Sequence, residues 1–493
     1  MAWTELTFDA ASPAPIYRQL HEKLALWIRS GHLPDGSRLP PTRELAGILG
    51  LNRTTVAAAY DILEKDGLLK AHVGRGSFVC APSREMGFDW LSRLRAPAAD
   101  RDLQQALWPS DEDFISFSSS RPDSGIFPRE AVSRAAQRAL AEQGDAILQL
   151  GAAEGYAPLR DHLLSEMREQ GVARGDDEVL VTSGCQQALD LVAKVLVSPG
   201  ETVLIEDPVY PGARDLFLAA GAQVRGIGVG ASGISLAELE QELGRHRAAP
   251  RLLVVTPSFQ NPTGATLPLE ARRELLRLAA RFDLAVVEND VYAGLGYYGG
   301  DLPSLKSLDR DGRVIYLRSF SKVAFPGLRV GWCVASRPVI RRLIAAKQLT
   351  DLHTDQLSQA VLHRLAADGS LAAHLREVLA HLAPRFEAAV KACRVGMPPG
   401  VEFTPPAGGM HLWLQLPAPL DSGELLARAR AEKVLFIPGK FFAVTRPHNR
   451  ALRLSFAGLP PEKIERGVAI LGRLVRAQAP LETPVGEGLP ALV

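Results

Sequence analysis

The chain has 493 residues, 46% hydrophobic and 23% charged, which is ordinary for globular protein and enough for two or three domains. Its formal net charge is +1, so no overall field draws it to nucleic acid or to a membrane, and any DNA binding must come from a local patch. The spacing of Cys80, Cys185, Cys333 and Cys393 is neither that of a metal site nor that of a CxxC motif, so we expect reduced cysteines, a cytoplasmic protein and no bound metal. No run approaches the ~18 apolar residues of a membrane span.

Residues 1–80 have the pattern of a small helical module. PIYRQLHEKLALWIRSG has apolar residues at helical spacing and predicts a first helix closed by Gly31. TRELAGILG predicts a short helix ended by Gly50, and LNRTTVAAAYDILEKDG predicts another with Asn52 or Thr54 as its N-cap. LLKAHVGRGSFVC then predicts two short strands around a Gly-Arg-Gly tip. This order is typical of a winged helix-turn-helix.

The third of these helices would enter the major groove of DNA. Its first turn carries polar side chains that can reach phosphates or base edges, namely Asn52, Arg53, Thr54 and Thr55. Arg38 and Arg43 flank it, and Arg75 is at the wing tip. A helical bundle with a solvated polar turn would show the same pattern, and the near charge balance of the module favours that alternative. The clustering of arginines favours DNA.

The segment GSRLPPTRELAGILGLNRTTVAAAYDILEKDGLLKAHVGRGSFV resembles the GntR family of winged-helix regulators over nearly the full length of that family's pattern. The resemblance implies that the module binds a double-stranded DNA operator. It implies contacts with DNA by Arg43, Arg53, Thr54, Thr55 and the tip Gly74-Arg75-Gly76.

After this module the composition changes twice. Residues 81–112 mix charge, Ala and Pro with weak periodicity and predict a linker. Over residues 113–478, strand-like runs such as EVLVTSG, TVLIEDP, RLLVVTPS, LAVVEND and RVIYLRSFS alternate with helical ones. The alternation predicts an α/β domain with a largely parallel sheet and helices on both faces. Residues 479–493 are rich in Pro and Gly and predict a loosely held tail.

Polar residues occur where the predicted strands end. In VTSGCQQALD, the backbone N–H groups of Gly184, Cys185 and Gln186 begin a helix, a position that suits a phosphate. Tyr210 follows the next strand, where its ring could cover a flat ligand, and Asn261 lies in the turn PSFQNPTG.

The later strand ends add charged and hydroxyl residues. VVENDVYAG contributes Asn289, Asp290 and Tyr292; SFSKVAFPGLRVG contributes Ser319, Ser321, Lys322 and Arg329; and ALRLSFAG contributes Arg453. Each alone has an ordinary explanation, such as a turn, a helix cap or a surface ion pair. Together they suit a phosphate, an aromatic ring with acid partners, an amine nucleophile and a carboxylate clamp, which describes pyridoxal phosphate with an amino acid. Lys322 would then form a Schiff base.

Residues 115–475 resemble the fold-type I aminotransferases, with the motifs in that family's order. The resemblance implies a large α/β domain with a smaller C-terminal α+β subdomain, and homodimers that share active sites. It implies an internal aldimine at Lys322, ring stacking by Tyr210 and contacts with the ring hydroxyl by Asn261 and Tyr292. The phosphate would bind Gly184, Cys185, Gln186, Ser319, Ser321 and Arg329, and a substrate carboxylate would bind Arg453.

The order of GntR-like module, linker and aminotransferase-like domain resembles the MocR/GabR family of transcriptional regulators over nearly the whole chain. We therefore expect a pyridoxal-phosphate-dependent regulator that senses a small amine or amino acid by aldimine exchange at Lys322. The alternative is a working aminotransferase that carries a DNA-binding domain. A scaffold without cofactor is a third interpretation, disfavoured by the intact Lys322, Asn261 and Arg329.

One position departs from the aminotransferase pattern. Fold-type I aminotransferases usually place an aspartate three residues before the tyrosine at this strand end, where its carboxylate keeps the pyridine nitrogen protonated. Here that position is Asn289, while Asp290 is two residues before Tyr292. Because the strand ends here, side-chain alternation does not decide which of them faces the ring. The spacing favours Asn289, and thus a sensor over an enzyme.

Overall fold

The computed structural model describes residues 3, 6–8, 15–29, 32–72, 76–80, 113–245, 251–297 and 302–478. The chain divides into two compact units, Met1–Ala96 and Pro97–Val493. The predicted linker 81–112 and tail 479–493, together with Gly31, Gly74 and Arg75, lie outside the described residues. None of the described helices has the length and apolar character needed to cross a lipid bilayer.

The described part of the first unit contains three helices and a hairpin: α1 (Ile16–Arg29), α2 (Thr42–Leu49), α3 (Arg53–Lys65), β1 (Leu69–His72) and β2 (Gly76–Val79). Gly50 ends α2 in the left-handed conformation, with φ 65°, which glycine adopts without strain. Asn52 caps α3, because its side chain accepts a hydrogen bond of 3.1 Å from the backbone N–H of Thr54.

The core of this unit forms where the three helices meet. Val56, Tyr60 and Leu63 lie on one face of α3 and are buried against apolar residues of α1 and α2 such as Leu24 and Leu45. The opposite face of α3 therefore remains available at its first turn. The element order is that of the predicted winged helix-turn-helix.

The second unit is larger. Its helices are α4 (Arg129–Leu148), α5 (Ala157–Glu169), α6 (Cys185–Leu196), α7 (Pro211–Ala219), α8 (Leu236–Arg245), α9 (Leu269–Arg281), α10 (Leu305–Leu308), α11 (Arg337–Gln348), α12 (Gln356–Ala367), α13 (Ser370–Gly396), α14 (Ser422–Ala431) and α15 (Pro461–Gln478). Its strands are β3 (Ile115–Ser116), β4 (Asp177–Thr182), β5 (Thr202–Asp207), β6 (Gln223–Gly230), β7 (Gly233–Ile234), β8 (Leu252–Val255), β9 (Ala285–Asn289), β10 (Val314–Ser319), β11 (Gly331–Ser336), β12 (Glu402–Phe403), β13 (His411–Gln415), β14 (Val434–Leu435), β15 (Ile437–Pro438) and β16 (Ala451–Ser455).

The central sheet has eight strands in the order β4-β11-β10-β9-β8-β5-β6-β7. The pairs β10–β9, β9–β8, β8–β5 and β5–β6 are parallel, whereas β11 is antiparallel to both of its neighbours. Alternate residues of each strand pack on opposite faces: Leu253 lies in the core with α8 and α9, and Val254 lies in the core with α6 and α7. The sheet is thus largely parallel and covered on both sides, as the sequence predicts.

A second, smaller sheet follows the central one. It is antiparallel, with the order β12-β13-β16-β15, and it packs with α13, α14 and α15 around a separate apolar core. Arg453 lies on β16 opposite Trp413 of β13. This sheet with its helices is the smaller α+β part that the resemblance implied, and it carries Arg453 and His411 towards the end of the large sheet.

Candidate functional site

A pocket lies at the carboxyl end of the parallel strands. Strands β5, β8, β9 and β10 end at this edge, and residues that follow them converge there, as is usual for ligand sites in α/β sheets. The residues that line it are Cys185, Gln186, Leu189, Tyr210, Thr256, Asn261, Asn289, Val291, Tyr292, Ser319, Ser321, Lys322 and Arg329. Of the cofactor and effector residues expected from the sequence, only Gly184, Asp290 and Arg453 are not part of this lining.

Arg329 and two serines form one end of the pocket. The guanidinium of Arg329 donates to Ser321 Oγ at 3.1 Å and to the carbonyl of Ser183 at 3.3 Å, and Ser319 Oγ lies 3.0 Å from Ser321 Oγ. Gly184 makes room for this arrangement, since a Cβ there would lie 2.6 Å from Arg329 Nη2. A cation and two hydroxyls at a helix start are donors that suit a phosphate.

The start of α6 has fewer free backbone N–H donors than the sequence suggests. The N–H of Gly184 donates to the carbonyl of Thr182 at 2.8 Å, in a tight turn with φ 82° at Gly184. The backbone donors left for an anion at the start of α6 are therefore those of Cys185 and Gln186. Gly184 contributes close approach and not a hydrogen bond.

Lys322 has its amine in the middle of the pocket wall. Its Nζ donates to the carbonyl of Ser120 at 2.7 Å. Burial, followed by the positive charges of Arg453, Arg329 and Arg121, lowers the pKa of Lys322 to about 8. An amine with a lowered pKa is partly neutral near physiological pH and can act as a nucleophile towards an aldehyde.

Asn289 and Asp290 direct their side chains to different surroundings. Asn289, the last residue of β9, lines the pocket, and its buried Oδ1 accepts no hydrogen bond from any described residue. Asp290 is buried too, and its Oδ2 accepts from the hydroxyl of Tyr316 at 3.0 Å. The uncharged amide is thus the group that faces the pocket at this strand end, with hydrogen-bonding capacity to spare.

Arg453 lies behind the pocket lining. Its Nη1 donates to Asn261 Oδ1 at 2.9 Å and its Nη2 to the carbonyl of Ser118 at 2.6 Å, while the guanidinium lies over the ring of Phe442. Burial lowers its pKa to about 10, so it stays a cation. Its Nε is buried and has no partner within the described part of the chain, which leaves a donor for an anionic group.

Several residues at the site are not identified from the sequence. Leu189, Thr256 and Val291 line the pocket, and Thr256 directly follows β8, so the strand-end argument could have found it. His411 and Ser120 contact pocket residues from distant parts of the chain. Nothing in the sequence marks them, because only the fold brings them to Tyr292 and Lys322.

The candidate DNA contacts lie at the start of α3 and beside the hairpin. Exposed side chains there are those of Arg38, Arg43, Asn52, Arg53 and Thr54, and Thr55 is half-buried. The guanidinium of Arg38 lies against Gly76, the first residue of β2, where a Cβ would come within 2.9 Å of its Nε. Arg38 therefore belongs to the same surface as the hairpin, whose tip residues Gly74 and Arg75 fall in a gap in the described residues.

The pocket fits pyridoxal phosphate. Donors for a phosphate lie at one end, the amine of Lys322 lies beside them, and the unsatisfied amide oxygen of Asn289 lies on the wall. Tyr210 lies at the mouth with its ring partly exposed, where it can cover a flat ligand. This donor set matches the phosphate, aldehyde and ring of the cofactor.

Comparison with known proteins finds a matching family for each half of the chain. Residues 16–79 match the bacterial regulatory proteins of the gntR family, and residues 112–471 match aminotransferase class I and II. The chain is 32% identical over 471 residues to the probable rhizopine catabolism regulatory protein MocR of Rhizobium meliloti, a match that covers 94% of both chains. It is 41% identical over 365 residues to the 2-aminoadipate transaminase of Thermus thermophilus, across 73% of this chain and 90% of that protein.

A solved aminotransferase structure is also similar to this chain. The α-aminoadipate aminotransferase of Thermus thermophilus, complexed with N-(5′-phosphopyridoxyl)-L-leucine, is similar with a TM-score of 0.71 and 39% identity over 80% of this chain and 98% of that one. The predicted fold class and the cofactor, pyridoxal phosphate, are thereby confirmed. Since a gntR module and an aminotransferase class I and II domain occur in one chain, and a regulator is similar over nearly its full length, the protein belongs to the MocR/GabR-type family of transcriptional regulators.

Proposed function

We propose that this regulator senses a small amine or amino acid in the pocket around Lys322 and changes its DNA binding in response. The observation that carries the proposal is the convergence of the Lys322 amine, a phosphate-type cradle and the Arg453–Asn261 pair at one strand edge. When bound, pyridoxal phosphate supplies an aldehyde and an electron-accepting ring. A relative named as a 2-aminoadipate transaminase favours an amino acid as the effector.

The residues of the site fall into groups according to the part of the cofactor or effector that each would bind. Arg329, Ser319 and Ser321, with the N–H groups of Cys185 and Gln186, hold the phosphate. Tyr210 would cover the ring, Asn261 and Tyr292 would contact its hydroxyl, and Asn289 would face its nitrogen. Lys322 would supply the amine for the aldehyde. Arg453, whose Nε is free for an anion, binds the carboxylate of that amine.

DNA binding falls to the first unit. We propose that α3 lies in the major groove, with Arg53 and Thr54 at its start, and that Arg38, Arg43 and the hairpin contact the backbone. The exposed positions of these side chains support this assignment. Because its DNA partner lies with the chromosome, we place the protein in the cytoplasm.

We further propose a homodimer. Four exposed leucines, Leu148, Leu150, Leu349 and Leu352, form what we call the leucine surface. Gly151 packs against Gln356 and so brings the two segments together. Asp351, between the last two leucines, accepts from Gln187 Nε2 at 2.6 Å, which places this surface beside the phosphate end of the pocket. An exposed apolar patch of this kind is typical of subunit interfaces.

The test of the function is spectroscopic. Purified protein with pyridoxal phosphate should show a visible absorbance band that shifts when the right amino acid or amine is added. Lys322→Ala should abolish that band and leave operator binding in the absence of effector largely intact, because the amine serves the cofactor alone. Lys391→Ala, which removes an exposed lysine on α13, is the control. A wild-type band that persists in Lys322→Ala would refute the assignment.

An aminotransferase that carries a DNA-binding domain is the second candidate function, favoured by the 41% identity to a transaminase. Turnover separates the two. Keto-acid formation at ordinary enzyme rates, roughly 10 per second, would support the enzyme. Effector-dependent DNA binding with turnover far below that rate supports the sensor.

A further inference from the structure

Two hydrogen-bonded pairs meet in the wall of the pocket. Arg453 Nη1 donates to Asn261 Oδ1 at 2.9 Å. The hydroxyl of Tyr292 lies 2.9 Å from Nε2 of His411, whose ring meets the tyrosine ring edge-on with centroids 5.5 Å apart. Asn261 and Tyr292 both line the pocket.

The short contact between Tyr292 and His411 holds one proton. A neutral imidazole donates at one ring nitrogen and accepts at the other, and a phenol can do either. Because a phenol is a stronger acid than a neutral imidazole N–H, the favoured arrangement has the hydroxyl of Tyr292 donating to Nε2 of His411.

His411 is able to accept because it is neutral. It is 1% exposed, and burial, followed by the charges of Arg453 and Lys322, lowers its pKa well below the ordinary value. With Nε2 accepting, the ring proton is on Nδ1. Ser120 Oγ lies 3.4 Å from both ring nitrogens of His411.

Ser120 connects His411 with Lys322. Its Oγ lies 3.5 Å from Ser455 Oγ, and Ser455 Oγ donates to the carbonyl of Met410 at 3.2 Å. The carbonyl of Ser120 accepts from Lys322, which brings His411 next to the amine.

We propose that His411 is a positioning residue that holds the proton of Tyr292 away from the cofactor's ring hydroxyl and so sets the proton affinity of the nitrogen that links Lys322 to the cofactor. The inference rests on the proposed cofactor site. An extra donor to the ring oxygen stabilises its anionic form, and a nitrogen that shares a proton with that oxygen then holds the proton less tightly. Freeing the Tyr292 hydroxyl should thus lower this proton affinity.

The other charged and titratable groups near His411 and Lys322 do not change their protonation at neutral or mildly acidic or basic pH. Arg453 and Lys322 face His411, and Arg453, Arg329, Arg121 and Cys185 face Lys322. The arginines stay cationic. Burial raises the pKa of the thiol of Cys185 and the pKa of the hydroxyl of Tyr292, so both remain protonated. A spectral change at neutral or mildly acidic or basic pH therefore reports the nitrogen of Lys322 itself.

The experiment is a pH titration of the visible absorbance of the cofactor-loaded protein. We expect His411→Phe, which keeps an aromatic ring against Tyr292 but no acceptor, to lower the midpoint by about one pH unit, a tenfold loss of proton affinity typical of one added hydrogen bond to a charged oxygen. His411→Gln, whose amide oxygen can replace Nε2 as acceptor, should stay near wild type. In a Tyr292→Phe background, His411→Phe should cause no further shift.

If His411→Phe leaves the midpoint of the absorbance titration unchanged, or shifts it equally in wild type and in Tyr292→Phe, the role of His411 is refuted. The proposed cofactor site is not affected by either result. A wild-type protein that shows no visible band with pyridoxal phosphate overturns both. A measurement without any substitution covers the case in which His411→Phe does not fold. A ¹⁵N NMR spectrum of the wild-type protein should show Nε2 of His411 without a proton, and a protonated Nε2 refutes the proposal.

Discussion

Three arginines act on the charge of the Lys322 amine. Burial and the nearby Arg453, Arg329 and Arg121 lower its pKa to about 8, so at that pH about half of the amine is neutral and reactive. We expect the rate at which the cofactor's visible band appears in apo-protein to rise with pH and to level off above about pH 8. Stopped-flow absorbance from mildly acidic to strongly basic pH measures this.

The arginine that follows Ser120 provides a further test. Arg121 is exposed, and the carbonyl of Ser120 accepts from Lys322. Removing the positive charge in Arg121→Gln should make the amine easier to protonate, so the midpoint of the rate profile should rise. Arg394→Gln, which changes an exposed arginine at the end of α13, should leave the midpoint unchanged. A rate profile that is flat across the whole pH range contradicts the lowered pKa.

In the proposed cofactor site, Asn289 faces the pyridine nitrogen and so would set how strongly the ring can withdraw electrons. An amide hydrogen-bonds to a pyridine nitrogen but does not stabilise its positive charge as a carboxylate does. We expect wild type to exchange its lysine link for an effector amine readily and to convert to the pyridoxamine form slowly, and Asn289→Asp to speed that conversion. Single-turnover absorbance with an amino acid measures both steps. Rapid conversion in wild type with no gain from Asn289→Asp would contradict this role.

At the scale of elements, α3 carries the predicted DNA contacts on its first turn and its packing on the opposite face. Arg53 begins the helix and is exposed, while Val56 and Tyr60 are buried. We expect Arg53→Ala to weaken operator binding and, if Arg53 contacts a phosphate, to reduce the slope of log affinity against log salt by about one. Fluorescence anisotropy of labelled operator across salt concentrations measures it.

The same helix supplies a matched control. Lys65 is an exposed cation at the far end of α3, away from the first turn, so Lys65→Ala should leave the affinity close to wild type. The double variant Arg53→Ala, Arg75→Ala should lose more than Arg53→Ala alone. Operator affinity that is unchanged in the double variant would show that α3 and the wing do not contact DNA.

At the scale of the whole molecule, the leucine surface predicts the oligomeric state. Leu349 is 92% exposed and Leu150 is 71% exposed, and both adjoin the segment that holds Asp351 beside the phosphate end of the pocket. We expect the double variant Leu150→Glu, Leu349→Glu to convert a dimer to a monomer and to weaken binding to a paired operator, because charges buried at an interface are costly. Light scattering after size exclusion measures the mass.

Val395→Glu is the control, since Val395 is an exposed apolar residue on α13 outside the leucine surface. A double variant that remains dimeric while Val395→Glu dissociates would move the interface to α13. In either outcome the effector can act on DNA only through a difference in its affinity for two arrangements of the protein.

Local sequence patterns are sufficient to predict the main helices and strands and the types of functional group at the site. Apolar runs in β5, β8, β9 and β10 predict a parallel sheet because each strand is buried on both faces, and the structure confirms these strands. Residues that follow such strands must meet at one edge, so the sequence alone predicts that Tyr210, Asn261 and Lys322 lie together. The helix-turn-helix followed from the same local rules of spacing and capping.

The contacts between side chains depend on how the elements pack, which local patterns do not predict. At the end of β9, local alternation stops, so the orientations of Asn289 and Asp290 depend on what packs there: the pocket for one and Tyr316 of β10 for the other. His411 is 119 residues from its partner Tyr292 and shares no local pattern with it. The N–H of Gly184 donates within a tight turn and is therefore not free for a ligand. Contacts between distant segments follow from the packing of whole elements, which no short stretch of sequence encodes.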